Sequence, residues 1–213
     1  MVIHAYSEDY LNHAQKILGD MMDYAVNTYE FSPNQFYEMF LVSDVSMQFQ
    51  TGNPTYVAGR TGCELVKEVL RKSGLLIPEL EDEMYLDKSP EYWCGWALAY
   101  YQWYTGRSFM KIYHAVSIEE ILNMYPVYHE MDISRFVETI NEKWDQYYVE
   151  TNLKRLRMLA GLSQSELAKR SGVALRQIQL FEQRQRDINH TRAIDVLSLA
   201  REIGCKSEEL LEI

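Results

Sequence analysis

Arginine and glutamine side chains recur near the C-terminus, where their spacing suits hydrogen bonding to nucleic acid. Arg176 carries a guanidinium that can contact guanine O6 and N7 together, and such a contact contributes about 1–3 kcal/mol of discrimination between bases. Gln179 and Gln183 follow about one and two helical turns later. We therefore expect these three side chains, together with Gln177, to be available to solvent on one helix.

No comparable set of reactive side chains occurs in residues 1–150. The histidines there are scattered, and none belongs to the H-E-x-x-H pattern of a zinc site. The segment V-A-G-R-T-G has two glycines beside a helix start but matches neither phosphate-binding glycine motif, so we interpret it as a loop between packed helices. We expect no metal, no cofactor and no enzymatic activity. An enzyme of unrecognised type in residues 1–150 is the minor alternative.

The charge of the 213-residue chain is −10 and is unevenly distributed. Residues 1–150 hold 10 Lys and Arg against 23 Asp and Glu, whereas residues 151–213 hold 11 against 8. A polyanion such as DNA is repelled by the first part and attracted by the second. No apolar run approaches the roughly 18 residues of a membrane span, and no signal-peptide pattern opens the chain. We therefore expect a cytoplasmic protein without a membrane partner, associated with the nucleoid.

Helical spacing of apolar residues recurs through residues 1–150, and no alternating strand pattern competes with it. Ser32-Pro33 predicts a helix from Pro33 to Phe49. A capping box at Ser117 predicts a helix that ends before Pro126. The sequence therefore predicts an all-α fold, with residues 1–150 as one large helical domain.

One predicted helix of this domain, between Pro90 and Gly106, is unusually rich in tryptophan and tyrosine. Its aromatic residues occupy several faces of the helix, more than a single core-facing stripe can bury. We expect either that the helix is enclosed on all sides or that it contributes to an interface, where Trp and Tyr are enriched.

Residues 151–213 predict a smaller helical domain. A capping box at Ser163 opens one short helix, and Gly172 closes it in a left-handed turn. The following helix directs Ile178 and Phe181 inward. Two short helices joined by a glycine turn, the second rich in Arg and Gln, form a helix-turn-helix.

The run GLSQSELAKRSGVALRQIQLFEQ resembles the Cro and phage-repressor type of helix-turn-helix, the XRE-like family. The likeness combines an L-S-Q-x-E-L-A helix, a turn glycine, a buried isoleucine and an aromatic-Glu pair, and it covers residues 151–213. It implies a compact five-helix, lambda-repressor-like domain whose third helix enters the major groove. It also implies a homodimer on a two-fold operator in double-stranded DNA.

The resemblance implies roles for individual residues of this domain. Gln164 matches a position that anchors a phosphate beside a helix N-terminus. Ala174, Leu175 and Arg176 match the end of the recognition helix that reaches base edges, where alanine and leucine offer apolar surface to a thymine methyl. Further DNA contacts are implied along that helix and in the loop beyond it: Gln179, Gln183, Arg184, Arg186 and Asn189.

Two other features bear on the stability and affinity of the domain. Arg157 and Glu182 match positions that form a partly buried ion pair in similar sequences, and we expect this pair to join the first and third helices. Ala174 stands where many similar sequences have Ser or Thr, so a helix cap and a phosphate contact are missing. We therefore expect modest affinity for DNA.

Together these features predict a sequence-specific DNA-binding regulator, and in particular a repressor, with residues 151–213 on DNA. The acidic residues 1–150 are predicted to sense a signal or bind a protein with a basic surface. An antitoxin that neutralises a protein toxin through residues 1–150 while repressing its own operon is one special case. A protein-interaction module with weak DNA binding is the alternative.

Overall fold

The computed structural model describes residues 4–75, 78, 80–83 and 86–212, and these contain helices and no strand. The all-α fold predicted from the sequence is confirmed. The chain divides into two compact units, Met1–Tyr147 and Tyr148–Ile213. The acidic run PELEDEMYLDK at residues 78–88, which the sequence suggests as a connector between helices, lies partly outside the described residues.

The N-terminal unit is built around the pairing of its two longest apolar helices, α1 and α6. Gly95 of α6 lies so close to α1 that an added Cβ would come within 2.3 Å of the Leu18 carbonyl oxygen. A side chain at this position would therefore force the helices apart. The α-helices of the unit are α1 (Leu11–Asn27), α2 (Pro33–Val42), α3 (Asp44–Gln50), α4 (Pro54–Val57), α5 (Gly62–Lys72), α6 (Pro90–Thr105), α7 (Phe109–Ala115), α8 (Ile118–Tyr128) and α9 (Ile133–Tyr147).

Helix starts in this unit follow the local capping signals of the sequence. Ser32, Thr61 and Ser117 each accept a hydrogen bond from the backbone N–H three residues later. The residue at that later position returns a bond to the backbone N–H of the cap, which completes the capping box. These reciprocal bonds satisfy donors that a helix N-terminus otherwise leaves unpaired.

Two predicted helix boundaries in this unit were wrong. The helix expected from Pro33 to Phe49 breaks at Ser43, whose backbone is extended and whose hydroxyl donates to the Phe40 carbonyl at 2.7 Å. Serine side chains compete in this way with helical hydrogen bonds. The helix expected to end before Pro126 continues to Tyr128. The His129 N–H keeps its last turn closed by donating to the Tyr125 carbonyl.

The aromatic helix, α6, is largely enclosed. Trp93, Tyr101 and Trp103 are buried, and the Trp103 indole N–H donates to the Tyr6 carbonyl at 2.9 Å. Other rings on the same helix, including Trp96, remain half-buried. Core packing therefore accounts for three of the seven rings on this helix, and the other four keep partial access to solvent.

The C-terminal unit has its own apolar core, formed by residues from each of its helices. Its α-helices are α10 (Asn152–Leu159), α11 (Gln164–Ser171), α12 (Leu175–Glu182) and α13 (Ala193–Ile203). The predicted fifth helix is a 3₁₀ turn at Ser207–Leu210, and a further 3₁₀ turn, which the sequence did not suggest, occupies Ile188–His190. The buried core residues are Leu153, Leu162, Leu167, Val173, Ile178, Phe181, Ile188, Val196, Leu199, Ala200 and Leu210.

Candidate nucleic-acid interface

Helices α11 and α12 are joined by a tight turn that fixes their mutual orientation. Ser163 caps α11 in a complete capping box, and Gly172 ends it with a φ of 73°. This left-handed conformation favours glycine, because a Cβ would crowd the following carbonyl. Ile178 and Phe181 are buried on the inner side of α12, so its opposite side faces outward.

The N-terminal end of α12 is the exposed part of this outward side. Ala174, Leu175 and Arg176 are all exposed, with Leu175 at 38%. Ala174 occupies the N-cap position and makes no side-chain capping bond. Farther along the helix, Gln179 is half-buried and Gln183 is exposed at the C-cap.

Gln177 does not face solvent freely, which corrects the expectation for this residue. It is half-buried, and its Nε2 donates to Thr191 Oγ1 at 3.1 Å and to Asp195 Oδ2 at 3.4 Å. Asp195 is itself buried and accepts two bonds from the Arg192 guanidinium. Gln177 therefore ties α12 to the start of α13. Asp195 was not singled out from the sequence, because only the fold brings the first turn of α13 against α12.

A buried ion pair joins α10 to α12. Arg157 Nε and Nη2 donate to the two carboxylate oxygens of Glu182 at 2.7 and 2.9 Å, and its Nη1 donates to the Leu162 carbonyl at 2.6 Å. The hydrogen bond to Glu182 raises the pKa of Arg157. Gln164 joins the network, since its Nε2 donates to Glu182 Oε2 at 2.7 Å. Gln164, the expected phosphate anchor, is thus held in place by the Glu182 carboxylate.

Arg184 and Asn189 make contacts within their own chain. Arg184 donates to the Tyr148 carbonyl, and its guanidinium lies 4.0 Å from the Glu212 carboxylate. Asn189 Oδ1 accepts from the Glu212 backbone N–H at 2.9 Å. With Arg186, these residues border a cleft of about 240 Å³. No pattern in the sequence indicates this role of Glu212, because the role depends on residues near position 212 folding back against the start of α10 and the loop after α12.

The expected interface residues thus fall into two groups. One group belongs to the helix-turn-helix itself, at the start of α11 and along α12: Gln164, Ala174, Leu175, Arg176, Gln179 and Gln183. Arg184 and Asn189 lie beyond it, where the chain end contacts them. All of them stay predicted DNA contacts, and the second group must exchange or share its present partners to reach a phosphate.

A comparison with protein-family models matches residues 153–210 to the family described as helix-turn-helix. The C-terminal unit is therefore a helix-turn-helix domain of the Cro and phage-repressor type, a class of DNA-binding regulatory domain. Comparisons with curated proteins and with solved structures give no significant match. Within the described part of the chain, no helix combines the length and apolar character needed to cross a membrane.

Proposed function

We propose that this protein is a sequence-specific transcriptional repressor that reads the major groove with the N-terminal end of α12. The exposed Ala174, Leu175 and Arg176, on a helix anchored by Ile178 and Phe181, carry this proposal. An exposed guanidinium suits bidentate contact to guanine, and the neighbouring apolar side chains suit a thymine methyl. Gln164, Gln179 and Gln183 complete the contact surface.

We further infer that the repressor acts as a homodimer in the cytoplasm. Helix-turn-helix dimers bind half-sites about one helical turn of DNA apart, so the operator would be a palindrome with that spacing. The contacts to the DNA backbone would come from Arg184, Arg186 and Asn189. Arg184 would then give up its position beside Glu212 and bind a phosphate instead. The positive balance of residues 151–213 supports this assignment.

The test begins by selecting binding sites for the full chain from a pool of random 30-bp duplexes. Fluorescence anisotropy on the selected site should show an Arg176→Ala variant binding about 5- to 150-fold more weakly, the range of one lost bidentate base contact. Arg201→Ala, which removes an exposed arginine from the last turn of α13, should bind like the unchanged protein. The affinity should also fall steeply with salt as phosphate contacts release counterions. Failure to enrich any sequence, or equal affinity of Arg176→Ala, would overturn the proposal.

The acidic N-terminal unit supports a second role in binding a partner protein. The excess of Asp and Glu in residues 1–150 suits a partner with a basic surface. An antitoxin is the special case in which that partner is a toxin encoded beside this chain. Co-expression with the neighbouring gene product should then yield a stable complex and relieve growth arrest. If neither the complex nor the relief of growth arrest is observed, the antitoxin role is rejected. The DNA-binding proposal is unaffected by that result.

A further inference from the structure

The N-terminal unit contains an open cleft of about 320 Å³, walled largely by aromatic rings. The start of α6, the last turn of α8 and the start of α9 surround it. A volume of this size lies at the lower end of the range for small-ligand sites. The rings of its lining are those of Tyr92, Trp93, Trp96, Tyr125, Tyr128 and His129, the last stacked on Tyr125, and Met131 adds a thioether.

The rings of this aromatic cleft are held in place from behind. Trp93 packs edge-on against Tyr125, with centroids 5.8 Å apart, and against Phe136 at 5.5 Å. The Tyr128 hydroxyl lies 2.9 Å from Thr139 Oγ1. Because these contacts fix the ring orientations before any ligand arrives, binding there costs little ordering entropy. Trp96 remains half-buried, so part of its ring surface is accessible.

Negative charge lies directly beside the cleft. Asp20 and Asp23 of α1 are buried and flank the cleft residues Lys88 and Ser89. Asp23 accepts from the Ser89 hydroxyl at 2.7 Å, and Asp20 forms an ion pair with Lys88 at 3.0 Å. Burial and these two carboxylates raise the pKa of Tyr92. Two carboxylates thus face one ammonium, which leaves an excess of negative charge at this wall.

One ring of the aromatic cleft already contacts a cation of the same chain. The Lys88 Nζ lies 4.2 Å from the centre of the Tyr92 ring, within the distance of a cation–π contact. Lys88 is 37% exposed. Trp96 presents an indole, the ring type that binds cations most strongly.

We propose that the aromatic cleft binds an arginine or lysine side chain of a basic partner protein. The rings supply cation–π attraction, and the unbalanced carboxylates supply the opposite charge. The acidic balance of the whole unit disfavours nucleic acid as the occupant and favours a basic protein surface. This inference rests on the partner-binding role proposed for the N-terminal unit and names the chemistry that the unit recognises.

The test follows the indole N–H signals of the full chain by NMR during titration with the peptide Ac-Gly-Arg-Gly-Arg-Gly-NH₂. The chain has four tryptophans, and Trp103 and Trp144 lie outside the cleft lining, so they serve as internal references. We expect saturable shifts of Trp93 and Trp96. The same peptide with citrulline in place of arginine keeps the shape without the charge and should bind at least tenfold more weakly.

A Trp96→Ala variant should lose arginine-peptide binding at least tenfold, whereas Tyr147→Ala, which truncates a 57% exposed ring outside the cleft lining, should retain it. Thermal melts check that both variants are folded, and Met131→Ala provides a second, milder change in the cleft. Equal binding of the citrulline peptide, absence of saturable shifts, or tighter binding of spermidine than of the arginine peptide would each overturn the inference. Trp96→Ala should keep its affinity for the selected DNA, so the outcome is independent of the repressor proposal.

Discussion

Glu68 of α5 shows how the N-terminal unit keeps a buried carboxylate charged. Its side chain is 7% exposed, and it accepts hydrogen bonds from Tyr56, Arg60 and Lys72, the Lys72 bond at 2.9 Å. Burial raises the pKa of Glu68, but the bonds from these three donors outweigh it and lower the pKa to about 2. Arg60 belongs to the glycine-flanked loop before α5, so its ion pair with Glu68 holds that loop against the helix.

Replacing Glu68 should make the stability of the N-terminal unit less dependent on pH. The pKa of Glu68 is about 2 in the folded unit, below the unfolded value of 4.5. This difference stabilises the unit by about 3 kcal/mol above pH 4.5, and the stabilisation is lost as the pH falls toward 2. Glu68→Gln should therefore lower the free energy of unfolding by about 3 kcal/mol at pH 7 and by much less near pH 2. Urea denaturation across this pH range measures the difference. The exposed Glu138, paired with Arg135, is the control, and Glu138→Gln should cost below about 1 kcal/mol.

At the scale of elements, the end of α12 departs from the usual pattern. Gly106, Gly172 and Gly204 follow their helices in the left-handed conformation, whereas α12 is followed by Arg184 with a φ of 52°. A side chain in this conformation costs about 1 kcal/mol or more. The bond from Arg184 to the Tyr148 carbonyl and its proximity to Glu212 offset that cost.

Substitutions at Arg184 should separate backbone strain from side-chain contact. Arg184→Ala loses the contacts and keeps the strain, while Arg184→Gly loses the same contacts and relieves it. We expect the glycine variant to be more stable than the alanine variant by about 1 kcal/mol, measured by urea unfolding. Equal stability of the two variants would show that the left-handed backbone at Arg184 carries no strain.

At the scale of the whole molecule, two units with separate cores make up the chain. The C-terminal core is formed within residues 153–210, and the N-terminal core is formed by residues of α1 to α9. The ion pair between Arg157 and Glu182 is internal to the C-terminal unit. Each core can therefore be weakened without changing the residues of the other.

Calorimetry of the full chain should resolve two unfolding transitions. Arg157→Ala leaves the buried Glu182 carboxylate without its main partner, which should destabilise the C-terminal unit by about 3–5 kcal/mol. Only the transition of the C-terminal unit should shift to a lower temperature, by roughly 4–8 °C for each kcal/mol of unfolding free energy lost in a unit of this size. Lys154→Ala, which removes an exposed pair with Glu150, should move neither transition appreciably. A single transition, or a shift of both by Arg157→Ala, would show that the two units unfold together.

Local signals in the sequence determined the helix starts and the identity of the C-terminal unit. Capping residues such as Ser163, and a turn glycine such as Gly172, act on backbone groups within three or four residues. The all-α class and the helix-turn-helix could therefore be predicted without a structure. The break at Ser43 was missed because helical apolar spacing continues across it, while the competing bond depends on one hydroxyl rotamer.

Apart from the pair of Arg157 and Glu182, which the resemblance implied, only the tertiary structure decided which polar groups meet. Gln177 bonds to Asp195 across 18 residues, and Arg184 lies beside Glu212 at the other end of the domain. The aromatic cleft likewise joins rings from α6 and α8 with carboxylates from α1. Such contacts arise from the packing of distant elements, and periodicity reports only which side of a helix is apolar, not which partner that side receives.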